Sequence, residues 1–331
     1  MKLGSLRSGE SRDGILCVVS KDLAKAVRVA DVDLLLPKSL REAVETWSKS
    51  KPALEKISKD LASGALSAKS FAVDQAKFHS PMPRAFQWAD GSAFLYHVKL
   101  VRAARGADMP PSFYEDPLFY QGCSDDFLAP TDAIPQVDFA HGTDFEGEVA
   151  VVTTDVPLGC KAEKALEHVA LIMIVNDVSL RGLIPEELAK GFGFFQSKPQ
   201  SAFAPFAVTP DELGSAWSDG RVKLPLLCEL NGGFFGKANA GAMHFHFGQL
   251  IAHAARTRTV AAGSIIGSGT VSNEEAGMGS SCLAEKRTLE KLQTGAITTP
   301  FMKVGDRIRI EMKDTGGASI FGAIDQVVKQ V

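Results

Sequence analysis

A short acidic motif at the start of an apolar run constrains the fold of this chain most strongly. Glu146 and Glu148 flank Gly147, and the apolar residues 149–152 follow directly. In a β-strand, residues i and i+2 point to the same face, so both carboxylates would lie together on one side of a sheet. Two ionised carboxylates in a partly buried position repel each other unless a positive charge, usually a divalent cation, compensates them. The motif therefore predicts a strand that begins at a cation site, and a solvated strand end is the alternative.

The charge balance narrows the classes of partner. The chain has 331 residues, with 36 Lys and Arg against 39 Asp and Glu and a formal net charge of -3. Affinity for nucleic acid comes mainly from basic side chains that neutralise phosphates, and this sequence has no basic excess or basic tract. No apolar run reaches the roughly 18 residues of a membrane span, and the N-terminus lacks the apolar stretch of a signal peptide. We therefore expect no nucleic-acid partner, no membrane partner and a cytoplasmic location.

Cysteine and histidine spacing argues against a zinc site. The five cysteines are odd in number and widely spaced, without a Cys-x-x-Cys pair, so they form neither a disulfide framework nor a zinc ribbon. Cys282 could serve as a nucleophile, but a semi-buried structural thiol is the favoured interpretation. His244 and His246 would share one strand face, and we favour structural histidines over zinc ligands because no third ligand is apparent.

Periodicity divides the chain into a small front segment and a long rear one. Residues 1–76 predict a small N-terminal β/α domain, with strands over 14–20 and 26–36 and a helix over 40–61 that Pro52 divides. Residues 77–331 predict a second, mainly β domain with a few connecting helices. Its expected strands are 148–153, 222–230, 265–271, 307–312 and 320–327, and its expected helices are 163–169, 184–190 and 250–256. The predicted fold class is α+β, predominantly β.

Several polar residues stand in apolar surroundings. Asp177 follows the nearly continuous apolar run 171–175, as at the end of a buried strand. An unpaired buried carboxylate costs several kcal/mol, so Asp177 needs a partner, either Arg181 or a metal ion. Asp90 and His97 occur together in a segment with little other charge, and Lys198 follows an aromatic, glycine-rich stretch. Taken singly, each of these residues is more typical of a structural ion pair than of a functional site.

The order of these motifs resembles the fumarylacetoacetate hydrolase family. The sequence carries Asp90 and His97, then Glu-x-Glu, Asn-Asp-x-Ser-x-Arg from position 176, Gln-Ser-Lys ending at Lys198, Ser-Gly-Thr ending at Thr270, and finally Glu285. The resemblance covers residues from about 78 to 331. It implies the mixed β-sandwich roll of that family behind a small N-terminal domain, and a homodimer that pairs through the large domain.

The resemblance also implies a set of site residues. A divalent cation, Mg²⁺ or alternatively Ca²⁺ or Mn²⁺, would be held by carboxylates, which agrees with the preference of hard ions for oxygen. The metal ligands implied are Asp90, Glu146, Glu148 and Asp177. The catalytic residues implied are His97, Glu285, Arg181 and Lys198, and the substrate contacts implied are Tyr120 and Thr270. Ser92 and Ile184 stand where well-known relatives carry a tyrosine and a glutamine, so we expect an altered substrate pocket.

The implied chemistry is hydrolysis of a carbon-carbon bond in a β-diketo acid such as fumarylacetoacetate or an acylpyruvate, as in the degradation of tyrosine. His97, held by Glu285, would activate water, while Arg181 and Lys198 would stabilise the oxyanion. The family also contains decarboxylases, hydratases and related enzymes of 2-oxo acids, which remain alternatives. A non-catalytic protein that binds a metal ion and a dicarboxylate is a further alternative, although it would not need the His97–Glu285 pair.

Overall fold

The fold is built on two β-sheets with helices packed around them. The structure, a computed structural model, describes residues 1–103 and 106–331. The strands of these residues are β1 Lys2–Leu6, β2 Ile15–Val19, β3 Lys25–Arg28, β4 Phe71–Ala72, β5 Trp88–Gly91, β6 Phe119–Gln121, β7 Ile134–Gln136, β8 Thr143–Asp144, β9 Gly147–Thr153, β10 Val169–Asn176, β11 Ser179–Leu180, β12 Ala202–Phe203, β13 Phe206–Val208, β14 Trp217–Ser218, β15 Arg221–Val222, β16 Leu226–Leu230, β17 Gly233–Gly236, β18 Ile265–Thr270, β19 Arg307–Lys313 and β20 Ser319–Gln330. The α-helices are α1 Val29–Val32, α2 Leu40–Glu45, α3 Trp47–Ala62, α4 Leu95–Ala103, α5 Ala162–Ala165, α6 Ile184–Ala189, α7 Phe247–Ala254 and α8 Leu283–Thr294.

The larger sheet has eleven strands, in the order β4-β3-β2-β1-β13-β10-β9-β18-β5-β6, with β12 also paired to β10. Strands β18 and β5 are parallel, and the other pairs of this sheet are antiparallel. The smaller sheet has the order β17-β16-β19-β20-β7. This arrangement confirms the predicted mixed fold of the α+β class.

Strands β9 and β10 are buried on both faces and separate two hydrophobic cores. Val149 and Val151 pack in a core shared with the smaller sheet, whereas Ala150 and Val152 pack in the core beneath α2 and α3. Successive side chains of a strand point to opposite faces, so an uninterrupted apolar run is what a strand between two cores requires. The Glu-x-Glu motif therefore opens a central strand, because β10 and β18 flank β9 on its two sides.

Strands β1–β4 continue the larger sheet through the pairing of Leu3 with Ala207. Helices α2 and α3 cover one face of that sheet with Leu40, Leu54 and Ile57. The N-terminal segment thus shares both hydrogen bonds and a core with the rear segment. The division at residues 76 and 77 stays a prediction.

Several predicted elements are confirmed close to their predicted limits, among them the strands that became β2, β9, β18, β19 and β20 and the helices that became α6 and α7. The predicted helix over 163–169 is shorter, because α5 ends at Ala165 and a 3-10 turn over 166–168 follows it. The predicted strand over 26–36 is wrong after Arg28, where α1 begins. Asp33 accepts a hydrogen bond from the backbone N–H of Leu35 at 2.9 Å. Such a local side-chain bond satisfies the backbone without a sheet, and Leu35 is left 95% exposed.

Two predicted elements that contain a proline differ from the prediction. Pro52 lies inside the continuous helix α3, and the break falls instead at Thr46, whose hydroxyl donates to the Glu42 carbonyl at 2.9 Å. Pro52 removes one intrahelical hydrogen bond, while Leu54, Ile57 and Leu61 anchor the helix by burial. The predicted strand over 222–230 is divided into β15 and β16. Pro225 lies between them and has no N–H to donate to a ladder.

None of the helices in the described part of the chain combines the length and the apolar character that a membrane span requires.

Candidate active site

One edge of the larger sheet gathers the candidate site residues. The adjacent strands β10, β9, β18, β5 and β6 end or begin there, and the register places Glu148 opposite Thr270, Asp90 opposite Gly267 and Asp90 opposite Tyr120. Asp177 follows β10 directly. Residues that are far apart in sequence therefore meet because their strands are neighbours.

Asp90, Glu148 and Asp177, called the acidic cluster below, each present a carboxylate oxygen within 4.8 Å of the others. The Asp90 carboxylate accepts from the Gly269 N–H at 2.9 Å. Gly269 has a φ of +74°, and a Cβ there would lie 2.4 Å from the Gly91 carbonyl oxygen. Glycine at 269 thus permits the close approach that holds Asp90. Both glycines of the segment 267–269 serve close backbone packing.

Glu148 is fully buried, and neither of its carboxylate oxygens has a hydrogen-bond partner. Burial, followed by the charges of Asp90 and Asp177, raises the pKa of Glu148 well above its usual value. The same causes, burial first and then Asp177, raise the pKa of Asp90 to about 8. A buried unpaired carboxylate is costly. The acidic cluster therefore fits a divalent cation bound through oxygen ligands.

Glu146 has different neighbours from those of the acidic cluster. Glu146 and its four partners, Ser179, Arg181, Lys198 and Thr270, are called the Glu146 network below. Lys198 Nζ donates to its Oε1 at 2.8 Å, and Arg181 Nη2 lies 3.1 Å from the same oxygen. The hydroxyls of Ser179 and Thr270 also donate to this carboxylate. Burial alone would raise the pKa of Glu146, but Arg181 and Lys198 hold it well below its usual value.

Lys198 joins the two groups, since its Nζ also lies 2.5 Å from Asp177 Oδ2. Its ammonium group thus occupies the place between Glu146 and Asp177. The structure brings three of the four predicted metal ligands into one cluster and places Glu146 beside them, paired with Lys198.

The loop before Lys198 is held by Glu187 at the end of α6. Its carboxylate accepts from the backbone N–H groups of Phe195 at 3.1 Å, Gln196 at 2.7 Å and Ser197 at 3.0 Å. Hydrogen bonds to an ionised acceptor are stronger than neutral ones. Burial alone would raise the pKa of Glu187, but a hydrogen bond from the Ser197 hydroxyl and these backbone bonds lower it to about 2. Glu187 thereby fixes the backbone that carries Lys198.

His97 and Glu285 lie on two helices that the periodicity did not predict, α4 and α8. His97 Nδ1 and Glu285 Oε1 are 2.8 Å apart, and both side chains are mostly buried. With the carboxylate ionised, Nδ1 carries the donated hydrogen and Nε2 is left as an acceptor. The structure thus brings together the pair inferred from residues 188 positions apart.

Asp144 connects the cationic side of the site to the helix of Glu285. Its buried carboxylate accepts from Arg181 Nε at 2.9 Å and from the backbone N–H groups of Leu283 at 2.7 Å and Ala284 at 2.9 Å. A carboxylate at a helix N-terminus satisfies free N–H groups and interacts favourably with the helix dipole. Asp144 therefore fixes both the Arg181 guanidinium and the start of α8.

A cavity of about 360 Å³ opens over these residues. Its lining includes nine of the predicted site residues: Asp90, Ser92, His97, Tyr120, Glu146, Arg181, Ile184, Lys198 and Thr270. The Tyr120 hydroxyl donates to Asp177, and its ring lies 4.9 Å from Lys198 Nζ. Ser92 and Ile184 both line the cavity, and the altered pocket stays a prediction.

Sequence reasoning missed Asp144 and Glu187 as positioning residues. Asp144 stands two residues before Glu146, so an acid on the same side of an extended chain was the available signal. Glu187 gave no comparable signal. Its partners are backbone N–H groups of a loop up to ten residues further along the chain, and every residue except proline carries such a group.

The remaining residues discussed above have structural roles. His244 and His246 do not lie on a strand: His246 accepts from the Gly248 N–H at 3.1 Å at the start of α7, and His244 donates to the Tyr114 carbonyl at 2.9 Å. Cys282 is fully buried at the start of α8. Burial, and then the charge of Asp144, raises the pKa of its thiol well above the usual value, which argues against a reactive thiolate.

Comparison with known proteins agrees with this architecture. Residues 87–328 match the family model for the fumarylacetoacetate (FAA) hydrolase C-terminal domain, and residues 1–84 match fumarylacetoacetase N-terminal domain 2. The chain belongs to the fumarylacetoacetate hydrolase family. It is therefore a member of an enzyme family in which a divalent metal is typical.

Individual relatives show that this fold serves different reactions. A fumarylacetoacetate hydrolase from Exiguobacterium antarcticum has the same fold with a TM-score of 0.66 and 18% identity, and the match covers 100% of both chains. A 5-carboxymethyl-2-hydroxymuconate delta-isomerase from Mycobacterium smegmatis matches with a TM-score of 0.61 and 17% identity, again over 100% of both chains. The oxaloacetate tautomerase YisK of Bacillus subtilis is 25% identical over 252 residues, which are 75% of this chain and 74% of YisK. Several Burkholderia relatives match over only 54% of their own length.

Proposed function

We propose that this protein is a metal-dependent hydrolase that cleaves a carbon-carbon bond in a β-diketo acid, with an acylpyruvate as the simplest substrate. The observation that carries this proposal is the 2.8 Å contact between His97 and Glu285 beside a cavity that Arg181 and Lys198 also line. An activated base and two cations are what the addition of water to a carbonyl group requires.

Asp90, Glu148 and Asp177 would hold the divalent cation, and Glu146 would join them where Lys198 releases it. Mg²⁺ is the first candidate, with Ca²⁺ and Mn²⁺ as alternatives, because all three accept oxygen ligands. When bound, the ion would supply Lewis-acid stabilisation of negative charge on the substrate's oxygens.

The residues of the chain would carry out the proton transfers. His97 Nε2 takes a proton from water, and Glu285 stabilises the resulting imidazolium through Nδ1–H. The water oxygen forms a bond to the acyl carbonyl carbon while Arg181 and Lys198 stabilise the oxyanion. The bond between that carbon and the methylene group then breaks, and its electron pair leaves with the pyruvate fragment as an enolate. The proton taken up by His97 passes to the methylene carbon, which forms the methyl group of pyruvate and returns His97 to its neutral state. The products are a carboxylic acid and pyruvate.

Tautomerisation of a 2-oxo acid is the second candidate. It is favoured by the similarity to the Bacillus subtilis oxaloacetate tautomerase over three quarters of both chains. The same His97–Glu285 pair could move a proton between the carbon and the oxygen of an enol without breaking the carbon skeleton.

Isotopic labelling separates the two reactions. We expect that incubation of the protein with Mg²⁺, acetylpyruvate and H₂¹⁸O gives acetate that carries one ¹⁸O, together with pyruvate, as measured by mass spectrometry. A tautomerase would leave acetylpyruvate intact and would accelerate the interconversion of oxaloacetate enol and keto forms in NMR. Intact acetylpyruvate, and equally intact longer acylpyruvates, would overturn the hydrolase proposal.

We also propose that the protein forms a homodimer. Large apolar side chains remain on the surface of the single chain, including Val137 at 67% exposure and Phe139 at 54%. Light scattering after size-exclusion chromatography should give twice the 35.3 kDa mass of the chain, and the mass of one chain would contradict it.

A further inference from the structure

The cavity above the candidate site has two chemically different halves. Its floor is lined by Asp90 of the acidic cluster, by Glu146, Arg181, Lys198 and Thr270, and by His97. Its upper wall is formed by apolar side chains, namely Phe94, Val98, Val101, Phe113, Leu118, Phe119, Ile184, Leu188 and Phe194. From this division we infer that the substrate's acyl group is an uncharged alkyl or aryl tail and not a second carboxylate. This inference rests on the proposed function, of which it specifies the substrate class.

The apolar wall is attached directly to the residues of the floor. Val101 follows His97 by one helical turn of α4, so both lie on the same helix face. Ile184 and Leu188 are likewise four residues apart on α6, which begins three residues after Arg181. A substrate whose reacting carbonyl lies between His97 and Arg181 would therefore extend its tail between these two helices.

Arg102 is the one cation of the upper wall among the described residues, and its Nε and one face of its guanidinium already have partners. Its Nε donates to the Asp108 carbonyl at 2.6 Å, and its guanidinium carbon lies 5.1 Å from the centre of the Phe113 ring. The contact with an aromatic face is favourable for a guanidinium. Arg102 thus packs on Phe113 of the wall, and a tail carboxylate would have to compete with its contacts to Phe113 and Asp108.

The charge of the cavity floor also favours a substrate with an uncharged tail. Four buried carboxylates at or next to the floor, of Asp90, Glu146, Glu148 and Asp177, lie beside the cations Arg181 and Lys198. A bound divalent cation brings the formal charge of this group to zero. A substrate with one carboxylate can use the ion, but a second carboxylate on the tail would meet an apolar wall above a floor that has no remaining positive charge.

Binding of 2-oxo acids tests this inference apart from catalysis, because they lack the second carbonyl group and cannot be cleaved by the proposed reaction. We expect calorimetry in the presence of Mg²⁺ to show that 2-oxohexanoate binds at least roughly tenfold tighter than 2-oxoadipate, which has a carboxylate in place of the terminal methyl group. Affinity should rise roughly fourfold per methylene from 2-oxobutanoate to 2-oxohexanoate. Tighter binding of 2-oxoadipate, or equal binding of all these acids, would overturn the inference.

Variants of the wall give a second test. Leu188 is 39% exposed at the mouth of the cavity, so Leu188→Lys should fold and should bring a cation to the tail. It should lower the preference for 2-oxohexanoate over 2-oxoadipate by at least roughly threefold. Leu292→Lys is the matched control, since Leu292 is 58% exposed on α8 and does not line the cavity. An unchanged preference in Leu188→Lys, or the same change in both variants, would contradict the assignment of the wall to the tail.

Cleavage assays distinguish a failure of this inference from a failure of the proposed function. If acylpyruvates are cleaved, kcat/KM should increase from acetylpyruvate to hexanoylpyruvate and should be lower for the analogue with a terminal carboxylate. If no acylpyruvate is cleaved, the proposed hydrolase function fails, while the binding preference among 2-oxo acids still decides the nature of the tail.

Discussion

Glu146 and Glu148 are separated by one glycine and are both buried, yet their surroundings are opposite. Glu146 lies within reach of two cations and two hydroxyl donors, which hold its pKa well below the usual value against the effect of burial. Glu148 has no hydrogen-bond partner, and burial with two neighbouring acids raises its pKa well above the usual value. The same short motif therefore supplies one carboxylate, of Glu146, that pairs with the cations of the site, and a second, of Glu148, that has no cationic partner among the residues that the structure describes.

This difference separates the site into two parts with different tasks. The acidic cluster is suited to hold an ion, whereas the Glu146 network and the His97–Glu285 pair are suited to proton transfer and oxyanion stabilisation. Lys198 contacts both parts, through Glu146 and Asp177. Four changes test whether the two parts can be altered separately.

The largest expected effect is on the rate of cleavage, with the affinity for the metal ion unchanged. His97→Ala should lower cleavage of acetylpyruvate by roughly 10²- to 10⁴-fold, as expected for the loss of a general base. Its affinity for Mn²⁺, measured by electron paramagnetic resonance, should stay within about twofold, because His97 pairs with Glu285 and lies outside the acidic cluster. Loss of metal binding in this variant would show that the two parts cannot be separated.

The second effect compares the two glutamates directly. Glu148→Gln should weaken Mn²⁺ binding by more than roughly 100-fold, because a charged oxygen ligand is removed from the acidic cluster. Glu146→Gln should weaken it less, because the charge of Glu146 is already shared by Arg181 and Lys198. Equal losses in the two variants would instead indicate four equivalent carboxylate ligands, as the sequence predicts.

A third change tests the link between Arg181 and α8. In Asp144→Asn, an amide NH₂ group would face N–H groups that now donate hydrogen bonds to the carboxylate. We expect kcat to fall by roughly 10- to 100-fold with a smaller change in KM, because Arg181 and Glu285 would both lose their positions. Asp144→Glu should restore part of the activity.

The control for this change is Asp138→Asn, which removes the charge from a similar cap on the Ala140 N–H of an exposed turn. It should leave kcat unchanged. A purely structural role for Asp144 would lower thermal stability in the variant but would leave kcat of the folded protein near that of the wild type.

The smallest effect is on the pH dependence of stability. The pKa of Asp90 is raised to about 8 by burial and by Asp177, so the folded metal-free protein binds a proton that the unfolded chain releases near pH 4. This contribution to stability is complete below pH 4 and is lost as the pH rises through about 8. The melting temperature in EDTA should therefore fall by a few degrees between pH 6 and pH 9.

Mg²⁺ should remove this fall, because a bound cation favours the ionised carboxylates. Glu187 should not contribute to this change in melting temperature, since its lowered pKa of about 2 keeps it ionised between pH 6 and pH 9. A melting temperature in EDTA that rises between pH 6 and pH 9 would contradict the electrostatic description of the acidic cluster.

Much of the fold could be predicted because its signals are local. The apolar run after Glu148 predicts a strand buried on both faces, and β9 is such a strand. The runs that became β18, β19 and β20 were equally clear. Helices α4 and α8 were missed, although they carry His97 and Glu285, because their mixed composition has a weak apolar periodicity.

The sequence by itself determined which chemical groups are present: an acidic pair at the start of a central strand, further acids after other strands, and a histidine and a glutamate in a recognisable order. Only the tertiary structure decided which carboxylate meets a cation and which does not. The reason is that a pKa depends on burial and on charges within a few ångströms. Here those charges come from Arg181, Lys198, Asp90 and Asp177, which the strand order of the larger sheet brings to one edge.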